Sequence, residues 1–522
     1  MRALVHCSMF VIALQQVALA APPDGGTTPV APVAAPAPVA PAVLEPEPAA
    51  VKELPRPKLG AQPAWHPPVP VEKEAEGGAH VVVLARHELP LVHILVELAV
   101  GSVLDRASGK PGLCAATATM LLDGGTLSRD APALAEAFEQ LGDELKIETD
   151  FDRVRLSLSV QSKDAEQAVA LLGDLLAHPR FDPAEWARTR ARRIAEIQKA
   201  EDEPRRVAEV VWNRSVFGDG QPGGAPVLGT RESVETIGAA DLQSFYEANV
   251  GPRAVTFIFA GDIDAARAQR IVGAALYQWK SSATGLAPAK STATKTAPAA
   301  APAAEPAQGP VRVVIVDRPG APQTEVRAGH RGVSLASAEY PAASLLATIL
   351  GGSFTSRLVQ NLREKHGYTY GIGARFVTRL AEVPSAFIVR SAVRTDVTAP
   401  ALREILTELQ NIHEPIPTVE IDKARALIEN GLVEGFADGR EAAMLLGELV
   451  AEHQKLDFWS KLPGRLRALR PPALKKSSAS LVLPTGLTLV LVGDRKQIEK
   501  PVQDLPFEKK IELRDAHGDV VK

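Results

Sequence analysis

Two pairs of short apolar runs recur at one fixed distance along the chain, and that repeat limits the fold more than any other feature. "VVVLAR" begins at Val81 and "VVIVDR" at Val313, an offset of 313 − 81 = 232. "VTFIFAGD" begins at Val255 and "LTLVLVGD" at Leu487, and 487 − 255 is again 232. Equal spacing at an opening and a closing strand predicts a duplicated unit, each copy roughly 200 residues long and so the size of one large domain. Between the copies lies "SSATGLAPAKSTATKTAPAAAPAAEPAQGP" at 281–310, and an equally Pro/Ala-rich stretch covers 21–70. Neither buries enough apolar surface to offset the entropy of ordering, so one is expected to be a flexible linker and the other an extended tether. A linker of that kind would let the two domains open and close.

The N-terminus, "MRALVHCSMFVIALQQVALA", combines one Arg, a short apolar stretch and an Ala-Leu-Ala ending. That is the pattern of a cleavable secretory signal over 1–20, and it places the protein in the periplasm or cell envelope. Removal of the leader leaves Cys114 as the one cysteine, which excludes an internal disulfide. A formal net charge of −4 gives no polybasic face, so nucleic acid is not an expected partner. No later apolar run reaches the roughly 18 residues of a membrane span. The expected organisation is a signal peptide (1–20), the tether (21–70), an N-terminal domain (71–280), the linker (281–310), a C-terminal domain (311–505) and a tail (506–522).

Within each domain the pattern is α+β. "RVRLSLSV" (153–160) alternates strictly, with Val154, Leu156, Leu158 and Val160 on one face and Arg153, Arg155, Ser157 and Ser159 on the other. "LVHILVELAV" (91–100) reads as a second strand. Helices are expected over 111–122, closed by Gly124-Gly125, and over 131–141, opened by Asp130 with Pro132 in the first turn. Further helices fit 164–176, a long charged run at 184–216, and 337–350, 355–365, 400–412 and 418–436; strands fit 311–317, 368–378 and 385–394. Strands with one solvent-facing side, interleaved with helices, make an antiparallel-rich sheet carrying a helical layer.

The run "GSVLDRASGKPGLCAATATMLLDGGT" (101–126), the helix "RRIAEIQKAEDEP" and the closing Gly-Asp strands together resemble the inverted-zincin peptidases, the pitrilysin, insulinase and mitochondrial processing peptidase family. The resemblance extends over most of 70–505. In that family two histidines at i and i+4 of a helix bind zinc, an intervening Glu activates water, and a distant Glu completes the ligand set. The resemblance puts Ala115 and Thr119 at the histidine positions and Ala118 at the position of the base. None of these side chains performs the family role. Glu196 falls at the distant ligand position, as a remnant of a site expected to hold no metal.

"LGGSFTSRLVQNLREKHGYTYGIGARF" (350–376) is similar to the family's C-terminal domain, where an Arg and a Tyr reach toward substrate. The matching residues are Arg363 and Tyr370, with Tyr368 competing for the Tyr role. A guanidinium forks two hydrogen bonds onto a carbonyl or carboxylate, and a phenol donates to a developing oxyanion. The resemblance implies a non-catalytic, substrate-binding subunit that binds no cofactor itself. It would supply the Arg/Tyr pair to a homologous partner carrying the zinc, with peptide or unfolded protein as substrate. The competing reading is a structural or binding protein on the same fold, without a role in proteolysis.

Overall fold

The alternation at 153–160 becomes the strand next to the edge of a six-stranded sheet. The computed structural model describes residues 65–219, 221, 223–279, 283, 309–379 and 385–521. The expected signal peptide, the tether up to residue 64 and linker residues 284–308 lie outside the described residues. The first sheet contains β1 (Val71–Glu74), β2 (His80–Ala85), β3 (Leu91–Leu98), β4 (Lys146–Thr149), β5 (Val154–Gln161) and β6 (Val255–Gly261), in the order β1-β2-β6-β3-β5-β4. The second contains β7 (Val311–Asp317), β8 (Gln323–Arg331), β9 (Thr369–Val377), β10 (Ala386–Arg394), β11 (Thr488–Gly493) and β12 (Lys509–Arg514), in the order β12-β7-β11-β8-β10-β9.

Register confirms the duplication. β2 runs parallel to β6 with Val81 opposite Phe257, and β7 runs parallel to β11 with Val313 opposite Leu489. The separations 257 − 81 and 489 − 313 both equal 176. β3 and β8 begin at 91 and 323, and β5 and β10 at 154 and 386, each pair again 232 apart. The remaining neighbours pair antiparallel, apart from β12 on β7, so both sheets are mixed and antiparallel-rich.

Four expectations need correction. The 506–522 tail is no tail: β12 pairs with β7 as the edge of the second sheet, using backbone hydrogen bonds that the charged sequence "KKIELR" does not advertise. The tether ends before residue 70, since Trp65 already packs against Phe436 with ring centroids 6.1 Å apart. The long helix expected over 184–216 is two, Pro183–Asp202 and Pro204–Phe217, because Pro204 has no N–H and holds Glu203 in an extended conformation. The helix expected over 355–365 begins at Arg357 and is wound as a wide π turn over Val359–Lys365.

Each sheet carries buried apolar residues on both of its faces. On the first sheet Val92, Ile94, Val154, Leu156, Phe257 and Phe259 pack under the helices of their own half. The opposite face, with Leu95, Ile258 and Ala260, is covered by Ala442, Ala443, Leu446 and Leu449 of the helix Gly439–Ala451, which comes from the second half. Gly447 permits the close approach: a Cβ there would lie 2.8 Å from Leu95 Cδ2. The second sheet is treated reciprocally. Val314, Val316, Ile388, Val490 and Val492 bury Val207, Val211, Trp212 and Phe217 of the first-half helix Pro204–Phe217.

Charges seal the rim of these contacts. Arg390 donates to Glu209 at 3.0 Å, and Arg440 donates to Asp143 at 3.0 Å and to Ser159 at 2.7 Å. The described parts of the two halves are therefore one interlocked body. Opening them would strip the cover from two apolar sheet faces at once.

Candidate functional site

The helix Leu113–Asp123 is built from small residues that fit between β4 and the helix Pro183–Asp202. Its start is fixed by buried Asp105, whose carboxylate accepts from the backbone N–H of Gly112 at 2.8 Å and of Cys114 at 2.7 Å. Burial pushes that carboxyl up to about 7, against the pull of these N–H donors. Gly112 takes φ of 90°, and a Cβ there would meet Leu228 O at 2.6 Å.

Along the helix, Ala115 and Ala118 are buried and Thr119 is half-buried, its hydroxyl donating to Ala115 O at 3.0 Å. Methyl groups and one hydroxyl are not a zinc donor set. Among the described residues no three His, Cys, Asp or Glu side chains converge as a metal-binding group. Cys114 is buried, and burial raises its thiol well above the ordinary range, so it is a packing residue and not a nucleophile.

Two neighbours on the helix Pro183–Asp202 complete this wall. Glu196 is exposed, with Arg192 Nε 3.8 Å from its carboxylate. Arg192 also pairs with Asp123, which accepts from Thr189 Oγ1 at 3.0 Å. Arg193, which the sequence reading did not single out, is buried at 4% exposure. Its Nη2 donates to Ala115 O at 3.0 Å and to Thr119 Oγ1. Burial lowers the affinity of its guanidinium for its proton, and Glu196 and Asp123 work against that loss. The signal was present in the spacing: Trp186, Thr189, Arg193 and Ile197 form one buried stripe at helical intervals.

In the second half Arg363 sits in the last turn of Val359–Lys365, its guanidinium 4.5 Å from the centre of the Phe354 ring and 3.4 Å from the Glu364 carboxylate. Phe354 is itself 56% exposed, an aromatic on a glycine-led turn that the sequence reading passed over. Tyr370 stands near the start of β9 at 88% exposure. Tyr368 differs: it stacks on His366 with centroids 4.9 Å apart and packs against the second core. Of the two tyrosines, Tyr370 is the one presented to solvent. No hydrogen bond joins Arg363 to Tyr370 among the described residues.

Residues 81–230 match the family model described as insulinase (peptidase family M16), and residues 236–428 match the model described as the peptidase M16 inactive domain. An uncharacterized zinc protease of Mycobacterium tuberculosis is 27% identical over 380 residues, covering 71% of this chain and 81% of that protein. Among solved structures, the peptidase M16 inactive domain from Pseudomonas fluorescens superposes with a TM-score of 0.70 at 22% identity, over 81% of this chain and 98% of that one. A chain of Complex III2 from Candida albicans shares the fold with a TM-score of 0.65 at 16% identity, over 83% of this chain and 99% of that one. With the two matched segments in order along the chain and two sheets of like topology beneath them, this protein belongs to the M16, or inverted-zincin, peptidase family.

Proposed function

We propose that this chain is the non-catalytic, substrate-binding subunit of a two-chain peptidase, exported to the periplasm or cell envelope and paired with a homologous subunit that carries the zinc. One asymmetry carries the reading. The Leu113–Asp123 wall offers Ala115, Ala118 and Thr119 where ligands and a base are needed, while Arg363 and Tyr370 remain on the surface of the other half. At 88% exposure the Tyr370 ring and hydroxyl are turned away from the core, where a docked peptide would meet them. In the paired enzyme, Arg363 would fork onto a carbonyl of the bound peptide and Tyr370 would donate to the oxyanion formed as water adds to the scissile bond. The zinc that polarises that bond belongs to the partner.

Extended peptide or unfolded protein would lie along a free strand edge. β4 pairs with β5 alone among the described strands and leaves its other edge free, beside the Leu113–Asp123 helix. Adding a strand there uses main-chain hydrogen bonds and tolerates many sequences. The interlocked halves fit the same reading: closure, if the enzyme closes, takes place between subunits.

The test is affinity purification of the full chain from its native envelope fraction, with zinc and cleavage of an unstructured peptide measured on what co-elutes. A zinc-bearing homologue should accompany the chain, and Arg363→Ala or Tyr370→Phe should slow cleavage about 100-fold without releasing zinc. Undiminished cleavage by both variants, or a chain that purifies alone with one zinc of its own, would overturn the proposal. Co-elution in a stable assembly without proteolysis would instead favour the structural role.

A further inference from the structure

The family's metal does not fit the first-half wall, and the residue beneath that wall explains what holds it together. We propose that the Arg193 guanidinium replaces the metal ion: a fixed cation that cross-links the former ligand positions and bars a divalent ion from them. The proposal rests on matching Ala115, Thr119 and Glu196 to the family's ligand positions, but not on the existence of a partner subunit.

The geometry joins two of these positions and comes within one helical turn of the third. Arg193 Nη2 bonds the carbonyl of Ala115 and the hydroxyl of Thr119, and Arg193 lies one helical turn before Glu196. A metal held by side chains from these two helices would tie them together in the same way. Packing alone does not account for an arginine here. The other members of its stripe are Trp186, Thr189 and Ile197, and a Leu or Met would fill the place without desolvating a charge. Nε and Nη1 are buried without a hydrogen-bond partner among the described residues, so this cation is held at a cost. The nearby carboxylates of Glu196 and Asp123 offset part of that cost, and Glu196 is the one that falls at a ligand position of the family. A divalent ion at the same positions would stand beside an immobile positive charge that is itself buried, so the repulsion between them is only partly screened by water.

The experiment rebuilds the ligands and then removes the cation. The full chain carrying Ala115→His, Ala118→Glu and Thr119→His is compared with the same chain carrying Arg193→Gln in addition. Zinc per chain is measured by elemental analysis, Kd by competition with a chelating dye, and folding by circular dichroism. The neutral variant should bind one zinc about 10- to 100-fold more tightly than the triple variant. Arg193→Lys in the triple background keeps the charge and should still suppress binding. Equal affinity with Arg193 in place or neutralised overturns the proposal, and so does recovery of tight binding with lysine. Should the neutral variant fail to fold, the triple chain alone decides: tight, stoichiometric zinc with Arg193 retained would refute the exclusion. None of these outcomes depends on a partner, so this inference and the two-subunit reading fail separately.

Discussion

Trp212→Ala is the sharpest probe of the interlocked architecture, because the residue belongs to the first half and its surroundings to the second. Trp212 is 2% exposed, sits edge-on to Phe217 with centroids 6.0 Å apart, and lies in a cluster with Val314, Ile388 and Val490. Truncating a buried Trp to Ala costs about 3–5 kcal/mol through lost transfer energy and the cavity left behind. An unfolding entropy of about 2 cal/mol/K per residue over roughly 420 described residues comes to about 0.9 kcal/mol/K. The expected fall in Tm is therefore about 3–6 °C. Differential scanning calorimetry should show one cooperative transition before and after the change, displaced as a whole. Two resolved transitions, of which one moves and the other stays, would refute the coupling of the halves. A shift under about 1 °C would refute the burial.

Three further outcomes are expected. Glu452, buried beside Glu448 and near Arg153, has its carboxyl pushed up to about 7 by burial from an ordinary value of 4.5. The folded state then binds more protons between those two values, so this group's contribution is fully present below about pH 4.5 and is lost as pH rises through 7, by roughly 3 kcal/mol. Urea titrations at pH 5 and 7.5 should show that slope, and Glu452→Gln should lessen it while leaving the share of Asp105, whose carboxyl is likewise raised to about 7; an unchanged slope removes Glu452 as a source. Asp105→Ala strips the acceptor from two buried N–H groups at the start of the Leu113–Asp123 helix and should cost about 2–4 kcal/mol in chemical denaturation, with a loss under about 0.5 kcal/mol contradicting the assignment. Cutting the linker within 284–308 at an introduced protease site should leave the two fragments co-eluting in size-exclusion chromatography; separation without denaturant would show that the exchanged helices do not hold.

The parts of the fold legible in the sequence are those set by local pattern. The 232-residue repeat reappears in four strand pairs, the alternation at 153–160 is β5, and Asp130 caps its helix by accepting from Ala133 N. What was not legible depends on distant partners. The Gly439–Ala451 helix reads as one more amphipathic segment, and nothing in it names strands roughly 180 to 350 residues upstream as its seat. β12 is charged at alternate positions and is a strand only because β7 offers it an open edge. At the site, the motif's spacing is what assigns Ala115, Ala118 and Thr119 to the family's ligand and base positions. Arg193 was hidden in a run of arginines, where its burial is decided by one turn of helix phase. Phe354 became notable only once Arg363 was found stacked on it.

The exchange of helices has a consequence for how the chain comes into being. Synthesis delivers Pro204–Phe217 long before β7, β10 and β11 exist, so Val211 and Trp212 must wait for roughly 100 to 280 further residues before their docking site is complete. Contacts so far apart in sequence form slowly, and until they do the nascent first half shows an oily strip to its surroundings. A fragment ending near residue 280 should accordingly aggregate or stay bound to chaperones, and neither half should mature at its own pace.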